Sequence, residues 1–381
     1  MIKKLYKGIR LFLSNCLILL FWLCPIKRKI FVTSYYGKGY GDSPKYIIDE
    51  ILKKYPNVKI VWSIKKDVDT TIFPKSIKVC RNDSLTMLFH LATAKIWIDN
   101  CRKFPVLKRK KQLYIQTWHG FALKRIEKDV ASHLGKYYVR FAKADSKMID
   151  LIVSDSKFMT EIYQKAFWYN GKIAEWGSPR NDIIVNEDNV ALLKVYNFYN
   201  IEPNKKIILY APTFRADNSI EAYSIDYNRL RASCKKKFGD DFVILVRLHP
   251  NIMEKCKELT FIEGEIINAT YYPDMQELLM ASSICITDYS SLMFDFALSK
   301  KPCFQFATDI EDYKKDRNFY FEIDSLPFPL SKNNDELEQS ILAFNIEEYQ
   351  KGLEAFFESV GMIRDGKASG LCAEWIVKKI S

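Results

Sequence analysis

Ser283-Ile-Cys-Ile-Thr287-Asp288-Tyr289-Ser290-Ser291-Leu292-Met-Phe-Asp-Phe-Ala-Leu298 reads as a buried strand, a polar turn and a helix in succession. The apolar run before Asp288 is too short for a helix of its own, and its isoleucines favour extended backbone. The same unit recurs outward in both directions. Strands are predicted over 29–34, 58–63, 95–99, 112–117 and 150–154, with helices over 42–55, 84–94 and onward from 157. Asp42-Ser43-Pro44 and Asp83-Ser84 are expected to cap the first two helices. The alternation pauses over 180–205, at a helix and the polar connector Glu202-Pro-Asn-Lys-Lys206. It restarts with strands over 207–210, 242–246, 283–287 and 302–306, helices over 226–238, 274–281 and 291–299, and a helical end from 337 to 380. Strands alternating with helices make parallel, doubly wound sheets.

A chain of 381 residues exceeds one ordinary core, so about two domains are expected. The predicted division is a basic and apolar segment at 1–28, a Rossmann-like domain at 29–200, a second at 201–362 and a terminal helix at 363–381. Two such domains would leave a cleft, and ligands of open parallel sheets bind outside the carboxyl ends of the strands.

The strand ends hold a concentration of polar groups. Trp118-His119-Gly120 follows the strand at 112–117, and Ala211-Pro-Thr213-Phe-Arg215 follows 207–210. Arg247-Leu-His249-Pro250 follows 242–246, and Asp288-Tyr-Ser290-Ser291 follows 283–287. A helix start offers unpaired N–H groups, and serine hydroxyls add donors, so Ser290 and Ser291 suit a phosphate. The same residues also suit ordinary capping. Arg215 and Arg247 are candidates to clamp phosphate oxygens. His249 is a candidate donor to phosphate or leaving group, and His119 a candidate general base. His90 and His133 read as structural.

Net charge is +12, and Lys3, Lys4, Lys7, Arg10, Lys27, Arg28 and Lys29 fall in the first thirty residues without one acid. Between them runs the apolar segment Leu11–Cys24, shorter than the roughly 20 residues that span a bilayer. The expectation is an anchor lying in an anionic membrane surface; the alternative is a helix packed on the body of the protein. The basic stretch Arg102-Lys103-Phe-Pro-Val-Leu-Lys108-Arg109-Lys110-Lys111 suits either a solvated loop or a polyanion contact. No nucleic-acid motif accompanies the charge. Nine scattered cysteines without CxxC spacing read as reduced thiols, and no zinc site is expected. Asp67-Val-Asp69 has metal-binding spacing but stands alone in a polar segment, so no metal or other cofactor is expected.

Gln116-Thr-Trp-His-Gly120, Gly177-Ser-Pro-Arg-Asn-Asp182, Leu209-Tyr-Ala-Pro-Thr-Phe-Arg215, Arg247-Leu-His-Pro250 and Thr287-Asp-Tyr-Ser-Ser-Leu-Met-Phe-Asp-Phe296 occur in this order. Together they resemble the CDP-glycerol glycerophosphotransferase family, the teichoic acid primases and polymerases. Lys300-Lys-Pro302, Asp309-Ile-Glu-Asp-Tyr313 and Phe319-Tyr-Phe321 extend the resemblance, which covers about 30–330. It implies a GT-B architecture, two Rossmann-like domains with parallel sheets facing across a cleft. It implies transfer of a polyol phosphate from a CDP-linked donor to a polyprenyl-linked glycan acceptor at the cytoplasmic face of a bacterial membrane, without metal. The family's two important histidines match His119 and His249, and its phosphate-contacting serines match Ser290 and Ser291. Thr213, Arg215, Arg247 and Asp288 are expected beside the donor, with Gly120, Arg180, Asn181 and Asp182 elsewhere in the cleft. Phe121-Ala122 stand where the family often has Thr-Pro, which predicts a bulkier, more apolar loop facing the acceptor. The alternative reading is a GT-B glycosyltransferase using a nucleotide sugar.

Overall fold

The computed structural model describes residues 2–103, 106–215, 223–248, 261–262, 264–310 and 318–380, with side chains from Gly8 onward. The chain forms two compact units: residues 1–119, 126–182 and 365–381 make the first, and residues 120–125 and 183–364 the second.

In the first unit, seven parallel strands stand in the order β3-β2-β1-β4-β5-β6-β7. They are β1 (Lys27–Val32), β2 (Lys59–Ile64), β3 (Ile77–Arg81), β4 (Ala94–Asp99), β5 (Leu113–Gln116), β6 (Leu151–Ser154) and β7 (Lys172–Glu175). The order reverses between β1 and β4, so the loops leaving those two strands part and open a crevice there. Ile30, Val32, Ile60, Trp62, Ile96 and Ile98 form the sheet's buried apolar surface. The first three helices of this unit are α1 (Ile2–Phe21), α2 (Asp42–Lys54) and α3 (Leu85–Thr93). Ser84 caps α3, its hydroxyl accepting from Met87 N at 3.0 Å.

In the second unit, six parallel strands stand in the order β10-β9-β8-β11-β12-β13. They are β8 (Lys205–Tyr210), β9 (Asp241–Val246), β10 (Ile266–Asn268), β11 (Ile284–Thr287), β12 (Cys303–Phe306) and β13 (Leu330–Ser331). Here the order reverses between β8 and β11. The expected α/β class with two parallel sheets is therefore present.

The unit boundaries differ from the expected ones. The first unit ends at 182, not 200, and 183–200 belongs to the second. The terminal helix (Ala368–Ile380) is not separate, because its Cys372, Ala373, Ile376 and Ile380 complete the first unit's core beside Ile47, Ile48 and Ile51 of α2. Asp182 anchors its start, accepting from Ala368 N at 3.2 Å and Ser369 N at 2.7 Å.

Helix α1 packs on α3, with Ile18 buried and Phe21 set edge-on to Phe89 at 5.5 Å. Arg109 closes its carboxyl end, donating to Phe21 O and Cys24 O at 2.8 Å each. Asn15 accepts from Leu107 N at 2.9 Å. The opposite face stays exposed and is strongly apolar, with Ile9, Phe12, Leu13, Leu19 and Leu20; Leu23, in the turn past the helix end, is 84% exposed. Among the described residues, no helix is long and apolar enough to cross a membrane.

Beneath this helix lies a buried polar cluster. Lys29 Nζ donates to His90 Nδ1 and to Thr93 Oγ1, both at 2.7 Å. Burial, with Lys27 and Lys78 nearby, brings the Lys29 ammonium down to about 8. Burial and the Lys29 charge push His90 down to about 4. His90 is thus a neutral acceptor in the folded chain, whereas an unfolded histidine takes its proton near 6.5. The unfolded state binds more protons between those values, so stability falls as pH drops from about 6.5 to 4, by at most about 3 kcal/mol. His90→Gln keeps an acceptor that does not titrate. Its urea-denaturation stability should stay flatter than the parent's over that window, and equal acid sensitivity would remove the assignment.

Candidate active site

In the first unit three strand ends meet at the switch point. The loop 33–42 leaves β1, Asn100 follows β4, and Trp118-His119 follow β5. His119 Nδ1 donates to Asn100 O at 2.7 Å. A carbonyl only accepts, so Nδ1 carries the proton in the neutral ring and the Nε2 lone pair is left for chemistry. Burial lowers the pKa of His119, opposed by its bond to Asn100 and by the Asp42 charge. An imidazole neutral near pH 7 is the form a general base needs.

Arg180 Nη1 donates to His119 O and to Asp42 Oδ2, each at 2.8 Å. Tyr35 OH donates to the same Asp42 oxygen at 2.7 Å. Burial alone would raise the Asp42 carboxyl, but Arg180 and Tyr35 hold it below its ordinary value. Tyr35, Asp42 and Trp118 all have positive φ, at 43°, 59° and 52°. L-residues adopt such angles only where surrounding contacts hold them, and functional sites are where they gather. Tyr35, Asp42 and Asn100 were not singled out from the sequence. Asp42 was expected to cap α2, but Gly41 occupies the cap position and no side chain caps that helix. The signal lay in the glycine-rich run Gly37-Lys-Gly-Tyr-Gly41 directly after a strand.

In the second unit the loops after β8 and β11 meet at its switch point. Asp288 Oδ1 accepts from Thr213 N at 2.8 Å and Tyr289 N at 2.6 Å, and Oδ2 pairs with Arg215 at 2.8 Å. Arg215 is buried, bidentate on Asp309 at 2.6 and 3.0 Å, and also donates to Thr213 O. Tyr289 OH donates to Asp309 at 3.0 Å. Arg215 ties two carboxylates and a backbone carbonyl together, and Asp288 is its counterion and loop holder. Arg247 also turns inward, its Nη1 donating to Tyr272 O at 2.7 Å and Ala269 O at 3.3 Å. What the network leaves for a ligand is the hydroxyl edge. Ser290 and Ser291 are half-buried, Ser291 makes no cap bond, and Thr213 Oγ1 has no hydrogen-bond partner among the described residues. The following helix, Leu292–Ala297, is only six residues long, so its dipole adds little.

His249 lies outside the described residues. Gly120 has φ 137° and belongs to the second unit, while Arg180 joins His119. Asn181 is buried in a short 3-10 turn, and Asp182 holds the terminal helix. The basic stretch is also largely structural. Arg102 pairs with Glu127 and Asp145, Lys103 with Asp99, Lys108 with Asp150, and Arg109 ends α1. Asp69 bonds Thr71 within its own turn.

The profile of CDP-Glycerol:Poly(glycerophosphate) glycerophosphotransferases matches residues 17–378. The chain belongs to that family. It is 34% identical to a teichoic acid poly(glycerol phosphate) polymerase of Staphylococcus epidermidis, over 93% of this chain and 51% of the relative. It spans about half the length of that polymerase and of its Bacillus subtilis counterpart. It is 30% identical to a teichoic acid glycerol-phosphate transferase of Staphylococcus aureus, over 93% of this chain and 94% of the relative. A solved structure of a variant of the wall teichoic acid polymerase TagF, soaked with CDPG, superposes with a TM-score of 0.85 at 32% identity, covering 100% of this chain and 98% of that one.

One departure from the family pattern takes a different meaning in the structure. Phe121 and Ala122 are buried, and Phe121 packs on Phe294, Phe321 and Phe356 at 4.6, 5.9 and 6.1 Å. They pack into the second unit's core. Phe121→Ala should cost about 3–5 kcal/mol. Denaturant unfolding should report that loss, with the acceptor KM unchanged where the variant is folded; a changed KM at full stability would restore the acceptor reading.

Proposed function

We propose that this protein transfers glycerol phosphate from CDP-glycerol to a hydroxyl of a polyprenyl-linked, teichoic acid-type acceptor. The single observation that carries the reading is the fixed tautomer of His119, with Nδ1 committed to Asn100 O and Nε2 available. The acceptor oxygen attacks the phosphorus that bears glycerol while Nε2 takes its proton. The bond from that phosphorus to the CMP oxygen breaks, and CMP leaves with the electron pair. Ser290, Ser291 and Thr213 supply hydroxyl donors to the phosphate oxygens, in loops held by Asp288, Arg215 and Asp309. His249 is assigned to the leaving group by its match to the family motif. Donors aimed at developing charge are each worth about 3 kcal/mol. The GT-B arrangement belongs to this reading, supported by two parallel sheets with Rossmann-like strand order.

Purified protein incubated with CDP-glycerol and a lipid-linked acceptor should release CMP, not a nucleoside diphosphate. His119→Ala should slow release on the order of 10²–10⁴-fold with CDP-glycerol binding retained. Full turnover in that variant would remove the base assignment, and release of a nucleoside diphosphate from a nucleotide sugar would replace the reaction.

The partner proposed for α1 is the anionic surface of the cytoplasmic face of a bacterial membrane. Its exposed Ile9, Phe12, Leu13, Leu19 and Leu20 recur at helical spacing and form one stripe, with exposed Leu23 in the turn that follows. The basic residues at both ends of the segment suit anionic headgroups. Leu13→Asp with Leu20→Asp should abolish co-sedimentation with phosphatidylglycerol vesicles. Equal sedimentation of variant and parent would contradict the assignment.

A further inference from the structure

Four residues close a hydrogen-bonded ring with His119. His119 Nδ1 donates to Asn100 O, and Asn100 Oδ1 accepts from Tyr35 N at 2.8 Å. Tyr35 OH donates to Asp42, Asp42 accepts from Arg180, and Arg180 returns to His119 O. The circuit grips the histidine at two points, its ring nitrogen and its backbone carbonyl. One grip alone would leave either the ring torsion or the peptide free. Asn100 is fully buried, and Asp42 and Arg180 nearly so. The amide orientation of Asn100 is fixed, since only its oxygen can accept from Tyr35 N.

We propose that Asp42 is a positioning residue for the reaction: its carboxylate closes the ring by holding Tyr35 and Arg180 together, and so sets the orientation and basicity of His119. The inference rests on the reading of His119 as the base. The hydroxyl of Tyr35 and the guanidinium of Arg180 share one oxygen of Asp42, so a single carboxylate bears both arms. The left-handed backbone at Tyr35 and Asp42 is the strain this arrangement maintains. Its charge also faces the imidazole. Asp42 and Glu127 favour the imidazolium, and Arg180 and burial disfavour it. The Cys101 thiol lies 3.9 Å from Nδ1, and the Tyr35 ring 5.8 Å from the imidazole.

The test measures kcat and KM for CDP-glycerol across pH in the parent, Asp42→Asn, Tyr35→Phe and His119→Ala. Asparagine tolerates the positive φ at 42, so Asp42→Asn removes the charge without changing the backbone. It should lower kcat on the order of 10²-fold with KM for CDP-glycerol nearly unchanged. The histidine then loses the favourable charge of Asp42 and keeps the opposing charge of Arg180. The ascending limb of the pH–kcat profile should therefore move to lower pH. Tyr35→Phe removes one hydroxyl and leaves both charges, so kcat should fall several-fold with the limb in place. A parental kcat in Asp42→Asn would overturn the proposal. So would a lower kcat with an unmoved limb, which is what mere loss of structure produces. Should Asp42→Asn not fold, a parental kcat in Tyr35→Phe overturns it alone. The base reading fails separately, if His119→Ala keeps the parent's ascending limb.

Discussion

The buried pair between Arg180 and Asp42 is the interaction on which the first unit's site depends. It joins two segments 138 residues apart in sequence, the loop after β1 and the turn before the unit boundary. Removing one charge of a buried pair costs several kcal/mol, so the pair resists the loss of either member. Through Arg180 the pair reaches the His119 carbonyl, and through Tyr35 it reaches the loop that Asn100 holds. The histidine is thereby oriented by groups that need not touch a substrate. The second unit repeats the device with different residues. Arg215 bridges Asp288 and Asp309, and the serine loop hangs from that bridge.

Both arrangements follow from parallel sheets. Each strand leaves its sheet on the same side, so the polar loops gather at one edge. The reversal of strand order, β1 against β4 and β8 against β11, parts neighbouring loops and leaves room for a ligand. This is why polar residues immediately after strands mark a candidate site in the sequence itself.

What the sequence left unread has a physical pattern. Nine strands were legible, and the four missed ones, β3, β7, β10 and β13, are the outermost strands of the two sheets. An edge strand is covered on fewer sides, so its residues need not be apolar, and Lys172–Glu175 contains a single fully buried side chain. Basic side chains conceal their partners for a related reason. Arg102, Arg215 and Arg247 look like surface charge in a linear sequence, yet each finds carboxylates or carbonyls distant in the chain. Charge shows in the sequence, whereas its partner appears only when the chain folds. Asp42 was hidden differently, because an aspartate before Ser-Pro has an ordinary local explanation as a helix cap. His119, Ser290 and Ser291 stand out in the sequence because they follow strands, where neither capping nor core packing accounts for them fully.

The terminal helix that completes the first unit has a consequence for how the protein comes into being. Domains generally fold as units, in order from the amino end, as the chain is synthesised. Here the unit that begins first is the last to be finished. Its sheet is complete once residue 175 exists, but the apolar surface beside α2 stays uncovered until Ala368–Ile380 arrives. The second unit, closed by residue 364, can fold while the first still waits. Through that interval the nascent chain carries an open greasy face, and Asp182 holds a place for the helix that will cover it.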